Sequence, residues 1–61
     1  MIFDNIQRIA SERNITLQKI ENECKLGNGT ISKWKENNNP KVNNLKAVAD
    51  YLGTSLETLL A

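Results

Sequence analysis

Residues 28–36 hold the groups best suited to chemistry: Asn28, Gly29, Thr30, Ser32 and Lys33, followed by Glu36. That chemistry is hydrogen bonding, not bond making. An Asn amide makes two hydrogen bonds to adenine, an ammonium donates to the guanine acceptors, and a Ser hydroxyl bonds either kind of base edge. Thr30 offers a methyl suited to thymine or a hydroxyl suited to phosphate, and Gly29 lets backbone approach closely. For Asn28 a second role stands open, as the cap of the helix that begins there. For Lys33 the plain alternative is a solvated surface charge. Catalytic groupings are absent by contrast. The chain has no His and a single Cys. It has no carboxylate cluster with metal-ligand spacing and no phosphate-cradling Gly loop leading into Lys-Ser or Lys-Thr. The expectation is a protein that is not an enzyme, with no cofactor, no metal and no small-molecule substrate.

These groups act together only if a helix turns them one way. At about 100° per residue, Ile31 and Trp34 point to one side, and Gly29, Ser32, Lys33 and Glu36 point to the other. Asn28 projects forward from the amino end. Trp34, by its bulk and its spacing from Ile31, belongs to the core. The same periodicity finds the supporting elements. Phe3, Ile6, Ile9 and Ala10 form one apolar stripe, with Asp4, Asn5, Arg8, Ser11 and Glu12 opposite, and the pattern lapses near Asn14. Thr16 caps a second helix over 16–24, with Leu17, Ile20 and Cys24 as its apolar positions. Lys25-Leu26-Gly27-Asn28-Gly29 breaks the pattern, and its two glycines and asparagine favour a tight turn. A third helix over 28–36 must end ahead of Pro40, whose predecessor is pushed out of the helical region. Leu45, Val48, Ala49 and Leu52 mark a fourth helix that Gly53 ends. Thr54 and Glu57 read as a capping box for a last short helix carrying Leu56, Leu59 and Leu60. The prediction is an all-α fold of five short helices, one domain over 1–61.

A chain of 61 residues buries only roughly 60% of its unfolded surface, so each regularly spaced apolar residue is needed inside. No apolar run is long enough to span a membrane, so no membrane partner is expected. No secretory leader pattern is visible. Cys24 has no partner for an internal disulfide and reads as a small buried side chain. The expected compartment is therefore the cytoplasm. Eight Lys/Arg against seven Asp/Glu leave a net charge of +1. Any nucleic-acid reading must rest on where charges lie, not on their sum.

Two short helices joined by a brief Gly-containing turn describe the DNA-binding helix-turn-helix. The stretch from Leu26 through Gly27, Asn28, Gly29, Thr30, Ile31, Ser32 and Lys33 to Trp34 resembles the recognition-helix region of the Cro/C1-type (XRE-like) phage repressor family. Pro40, the run 45–56 and Leu59-Leu60 resemble that family's fourth and fifth helices. The resemblance covers nearly the whole chain, with its parts in order. It implies a five-helix lambda-repressor-like domain that binds double-stranded DNA as a transcriptional regulator, by type a repressor. Its second motif helix would enter the major groove. Phosphate contacts are then expected from Gln18, Asn37, Lys41, Asn43 and Asn44. For the asparagines, turn formation is an equal and compatible reading. Arg8 and Arg13 are either further anchors or ordinary solvated charges. Each good bidentate base contact supplies about 1–3 kcal/mol, too little for one domain alone. A homodimer on a pseudo-palindromic operator is expected, with half-sites ~34 Å apart. Tyr51, Leu56 and Leu60 are the candidates for its seam. Leu60 is the most available, because the core takes Leu56 and Leu59.

Two residues depart from the family pattern. A small residue usually stands at Glu21 and a Gly at Lys25. Four apart with the acid first, they are expected to form a compensating ion pair. Leu17 stands where the family often has a polar residue that meets phosphate. The competing function is a protein-interaction module, such as an antitoxin or adaptor, which the near-neutral charge and Glu21, Glu23 and Glu36 favour.

Overall fold

The computed structural model describes residues 1–36 and 39–61. Its helices are α1 (Ile2–Glu12), α2 (Leu17–Glu23), α3 (Thr30–Lys33), α4 (Val42–Leu52) and α5 (Leu56–Leu60). Among the described residues there is no strand, and no helix is long and apolar enough to cross a membrane. Every helix sends at least one side chain to full burial. Ile6 comes from α1, Ile20 from α2, Ile31 from α3, Val48 and Leu52 from α4, and Leu59 from α5. Burying a side chain of this size contributes about 1.5–3 kcal/mol, which makes this shared centre the main source of stability.

On α1 the buried stripe is Ile2, Ile6, Ile9 and Ala10. Phe3, expected in that stripe, is only half-buried at its edge, because Ile2 sits one helical turn before Ile6 and takes the inward slot. Asn5, expected on the outer face, instead ties α1 to α5: its side-chain amide donates to the carbonyl of Leu59 at 2.8 Å. Arg13 ties α1 to α4 by donating from its guanidinium to the Leu52 carbonyl. That carbonyl closes α4, where a cation also meets the negative end of the helix dipole. Arg8 keeps to the surface beside Glu12, at 3.8 Å.

Three helices end in the same way. After α1, Ile15 N donates to Ala10 O and Asn14 N to Ser11 O, with Asn14 at φ 57°. After α2, Leu26 N donates to Glu21 O and Lys25 N to Asn22 O, with Lys25 at φ 60°. After α4, Thr54 N donates to Ala49 O and Gly53 N to Asp50 O, with Gly53 at φ 68°. Each pair of bonds is a Schellman closure around one left-handed residue. At Lys25 the left-handed backbone is what would favour the glycine that the resemblance leads one to expect there.

The amino ends follow the capping rules with one correction. Thr16 caps α2, its hydroxyl accepting from Lys19 N at 3.0 Å. For α5 the cap is Ser55, not Thr54: the Ser55 hydroxyl accepts from Thr58 N at 3.1 Å. Thr54 is already spent on the closure of α4, so the cap falls one residue later.

Candidate nucleic-acid interface

The turn between α2 and α3 is set by backbone. Gly29 lies at φ 81°, ψ 2°, and Thr30 N donates to Gly27 O at 3.1 Å. These are the values of a type II turn, whose third residue needs the left-handed region. A Cβ added at Gly29 would meet no atom within 4 Å, so φ alone makes glycine the suited residue. Gly29 is also the N-cap residue of α3, and Lys33 N donates to its carbonyl at 3.1 Å. Asn28 therefore does not cap the helix. It is an exposed side chain on the turn itself.

The first turn of α3 is held from beneath by Glu21. This residue is 3% exposed, and its two carboxylate oxygens accept from Gly29 N at 3.1 Å and Ile31 N at 2.9 Å. The expected ion pair with Lys25 is absent, since Glu21 points inward to these amides while Lys25 is an exposed residue beyond the end of α2. A buried carboxylate is tolerated only when its oxygens are bonded, and here both are. The pair of oxygens does for α3 what a capping side chain does elsewhere, but from the neighbouring helix. Sequence reasoning missed this role. The available signal was an acid at an apolar position of α2, four residues after Leu17, set eight residues before a glycine.

Helix α3 spans 30–33, shorter than the expected 28–36. Beyond Lys33 the backbone tightens: Trp34 N, Lys35 N and Glu36 N donate three residues back, to Ile31, Ser32 and Lys33. The two faces are nevertheless as the wheel requires. Ile31 and Trp34 are buried, while Asn28, Ser32, Lys33 and Glu36 are exposed, and Gly29 and Thr30 are half-buried. Lys35 is also exposed, with its ammonium 6.0 Å from the centre of the Phe3 ring. Of the expected flanking residues, Gln18 is exposed in the first turn of α2, as are Lys41 and Asn43 at the start of α4, while Asn44 is half-buried. Asn37 lies outside the described residues.

Residues 5–61 match the family described as helix-turn-helix domain. The chain belongs to that family. No curated protein and no solved structure matches it. In helix-turn-helix domains the second motif helix enters the major groove of DNA, so DNA binding and regulation of transcription are the function class this family carries. The motif here is α2, the turn at 27–29 and α3. Its N–H groups at Gly29, Thr30 and Ile31 are all bonded inside the chain. At the start of α3, side chains and not these three backbone donors are what remain for a ligand.

A second surface is apolar. Exposed Val42 (68%) and Leu60 (57%) border a groove of about 240 Å³ that Ile2, Pro40, Leu45 and Leu56 also line. The order of availability expected on α5 holds, with Leu59 fully buried, Leu56 half-buried and Leu60 out. Tyr51 is exposed on α4 and does not line this groove. Val42, three residues before Leu45 and the first residue of α4, was not singled out in the sequence and stands exposed. Cys24 is half-buried rather than core, with Sγ 3.6 Å from the Ala47 carbonyl. Burial, and then the charge of Glu23, raise its thiol pKa.

Proposed function

We propose that this helix-turn-helix domain is a sequence-specific regulator of the Cro/C1 type, a repressor that reads duplex DNA with the outer face of α3. One observation carries the reading. A short helix anchored by Ile31 and Trp34 presents Ser32 and Lys33 to solvent, and the turn before it presents Asn28. Asn28 suits adenine and Lys33 suits guanine, with Ser32 able to serve either kind of edge. Thr30, half-buried at the margin, reaches a thymine methyl or a phosphate. Gly29 contributes a surface without a side chain, which lets the groove wall come near. Gln18 on α2 and Lys41, Asn43 and Asn44 at the start of α4 are the proposed phosphate contacts. The mechanism is binding alone, with no catalytic step and no cofactor. The compartment proposed for it is the cytoplasm, in keeping with a lone cysteine that forms no disulfide.

The domain acts as a homodimer. Its dimensions of 24 × 22 × 18 Å are smaller than the ~34 Å between half-sites one helical turn apart. One copy therefore reaches one half-site, and the second half-site needs a second copy. Leu60 and Leu56, with Val42 beside them, supply apolar surface for the seam, and Tyr51 is exposed elsewhere on α4, outside their groove. Salt dependence tests the proposal against a protein-interaction module. For a DNA binder, log K falls with log salt by about 0.9 per phosphate contacted. A steep fall supports the regulator; a flat response, or no binding at low salt, overturns it.

A further inference from the structure

Glu21 is the one charged residue buried among the described residues. Its position asks for an explanation, because an apolar residue would fill the same place with no ionised group to desolvate. We propose that Glu21 is a positioning residue for base discrimination. It is a carboxylate clamp from α2 that fixes how α3 presents Ser32 and Lys33. The inference rests on the DNA reading above and deepens it.

Geometry carries the argument. Helix α3 has four residues, and its N-cap residue Gly29 has no side chain to cap it. A helix of that length has no stability of its own, since helix formation starts with an unfavourable nucleus. Its direction must be imposed from outside. Ile31 and Trp34 anchor its inner face but do not fix its amino end. The Glu21 oxygens do, through charge-assisted bonds to Gly29 N and Ile31 N. Thr30 N, between them, is bonded to Gly27 O, so three consecutive amides are locked. Glu21 itself also sits at a fixed point of α2: its own carbonyl accepts from Leu26 N at 2.8 Å in the closure of that helix. The same residue thus ends one helix with its backbone and starts the next with its side chain. A bidentate base contact depends on such fixed geometry, whereas phosphate attraction does not.

The test uses the full chain and Glu21→Ala and Glu21→Gln variants. Affinity is measured for the duplex selected by the unaltered chain and for a scrambled duplex of equal length, across several salt concentrations. Amide hydrogen exchange is followed in parallel. In Glu21→Ala the ratio of specific to non-specific affinity is expected to fall roughly tenfold, comparable to one misplaced base contact. The salt slope on scrambled duplex stays unchanged. Glu21→Gln, which keeps one acceptor oxygen, falls between. Exchange at Gly29 and Ile31 accelerates while Ile6 and Val48 amides stay protected. An unchanged ratio in both variants overturns the proposal. So does an equal loss on both duplexes that tracks the unfolded fraction, which marks Glu21 as structural only. If Glu21→Ala does not fold, the Gln variant decides by the same criteria. Failure of the unaltered chain to prefer any duplex overturns the DNA reading and the discrimination claim with it. The exchange data still show separately whether the carboxylate holds the turn.

Discussion

Replacing Lys25 by Gly is expected to stabilise the domain, although it removes a charge four residues from Glu21. Lys25 sits at φ 60°, the left-handed residue of the α2 closure. For a residue with a Cβ that conformation costs about 1–2 kcal/mol. Glycine is free of this strain but gives back about 0.5–1 kcal/mol through its larger freedom in the unfolded chain. The net gain is about 0.5–1 kcal/mol, or a rise in Tm of about 2–8 °C for a domain of this size. Lys25→Ala provides the control, because alanine keeps the Cβ and loses only the ammonium. It should leave Tm within about 4 °C, since a surface change away from any bonded group shifts stability by less than ~0.5 kcal/mol. Thermal and urea unfolding followed by circular dichroism read all three proteins. The reasoning is refuted if Lys25→Gly melts at or below the unaltered chain. A loss in both variants would further show that the ammonium has a partner, as an ion pair with Glu21 would require.

Other changes follow from the same packing. Trp34→Ala removes a buried indole from the inner face of α3 and should cost about 3–5 kcal/mol, enough to leave much of a 61-residue domain unfolded at 37 °C by circular dichroism. Ser55→Ala and Thr16→Ala each delete an observed cap and should lower stability by ~1 kcal/mol in urea titration, while Thr54→Ala, which caps nothing, should change it by less than ~0.5 kcal/mol. The raised thiol pKa of Cys24 favours the neutral form in the fold. Alkylation by iodoacetamide at pH 8 should run slower in the native chain than in the unfolded one. The sign for stability is that this contribution is fully present below the unfolded thiol pKa and declines as pH rises through the folded value.

Period-3.6 spacing was enough to place Ile6, Ile9, Ile20, Ile31, Trp34, Val48, Leu52 and Leu59 inside, and with them the number and order of the helices. It also turned Ser32 and Lys33 outward, because burying Ile31 and Trp34 leaves them no other side. The rest depended on partners that carry no side-chain signature. Glu21 is bonded to backbone amides, and every residue has one, so nothing in the letters at 29 and 31 announces an acceptor. Lys25 occupies a glycine conformation without being glycine, which spacing cannot reveal. The cap of α5 slid from Thr54 to Ser55 because the α4 closure consumed one more residue, a competition between two neighbouring ends. The shortening of α3 has a similar origin. Its periodicity continues past Lys33, but the bonds at Trp34, Lys35 and Glu36 change to three-residue spacing.

The central claim is that the outer row of α3 reads base pairs, and selection of bound sites from random duplex DNA, run with the unaltered chain and with Lys33→Ala, tests it most directly. The account predicts a motif of two symmetric halves whose centres lie about one helical turn apart, with Lys33→Ala losing preference at one position in each half and keeping the remainder. Enrichment of no motif by the unaltered chain, or of the same motif by both proteins, would contradict it.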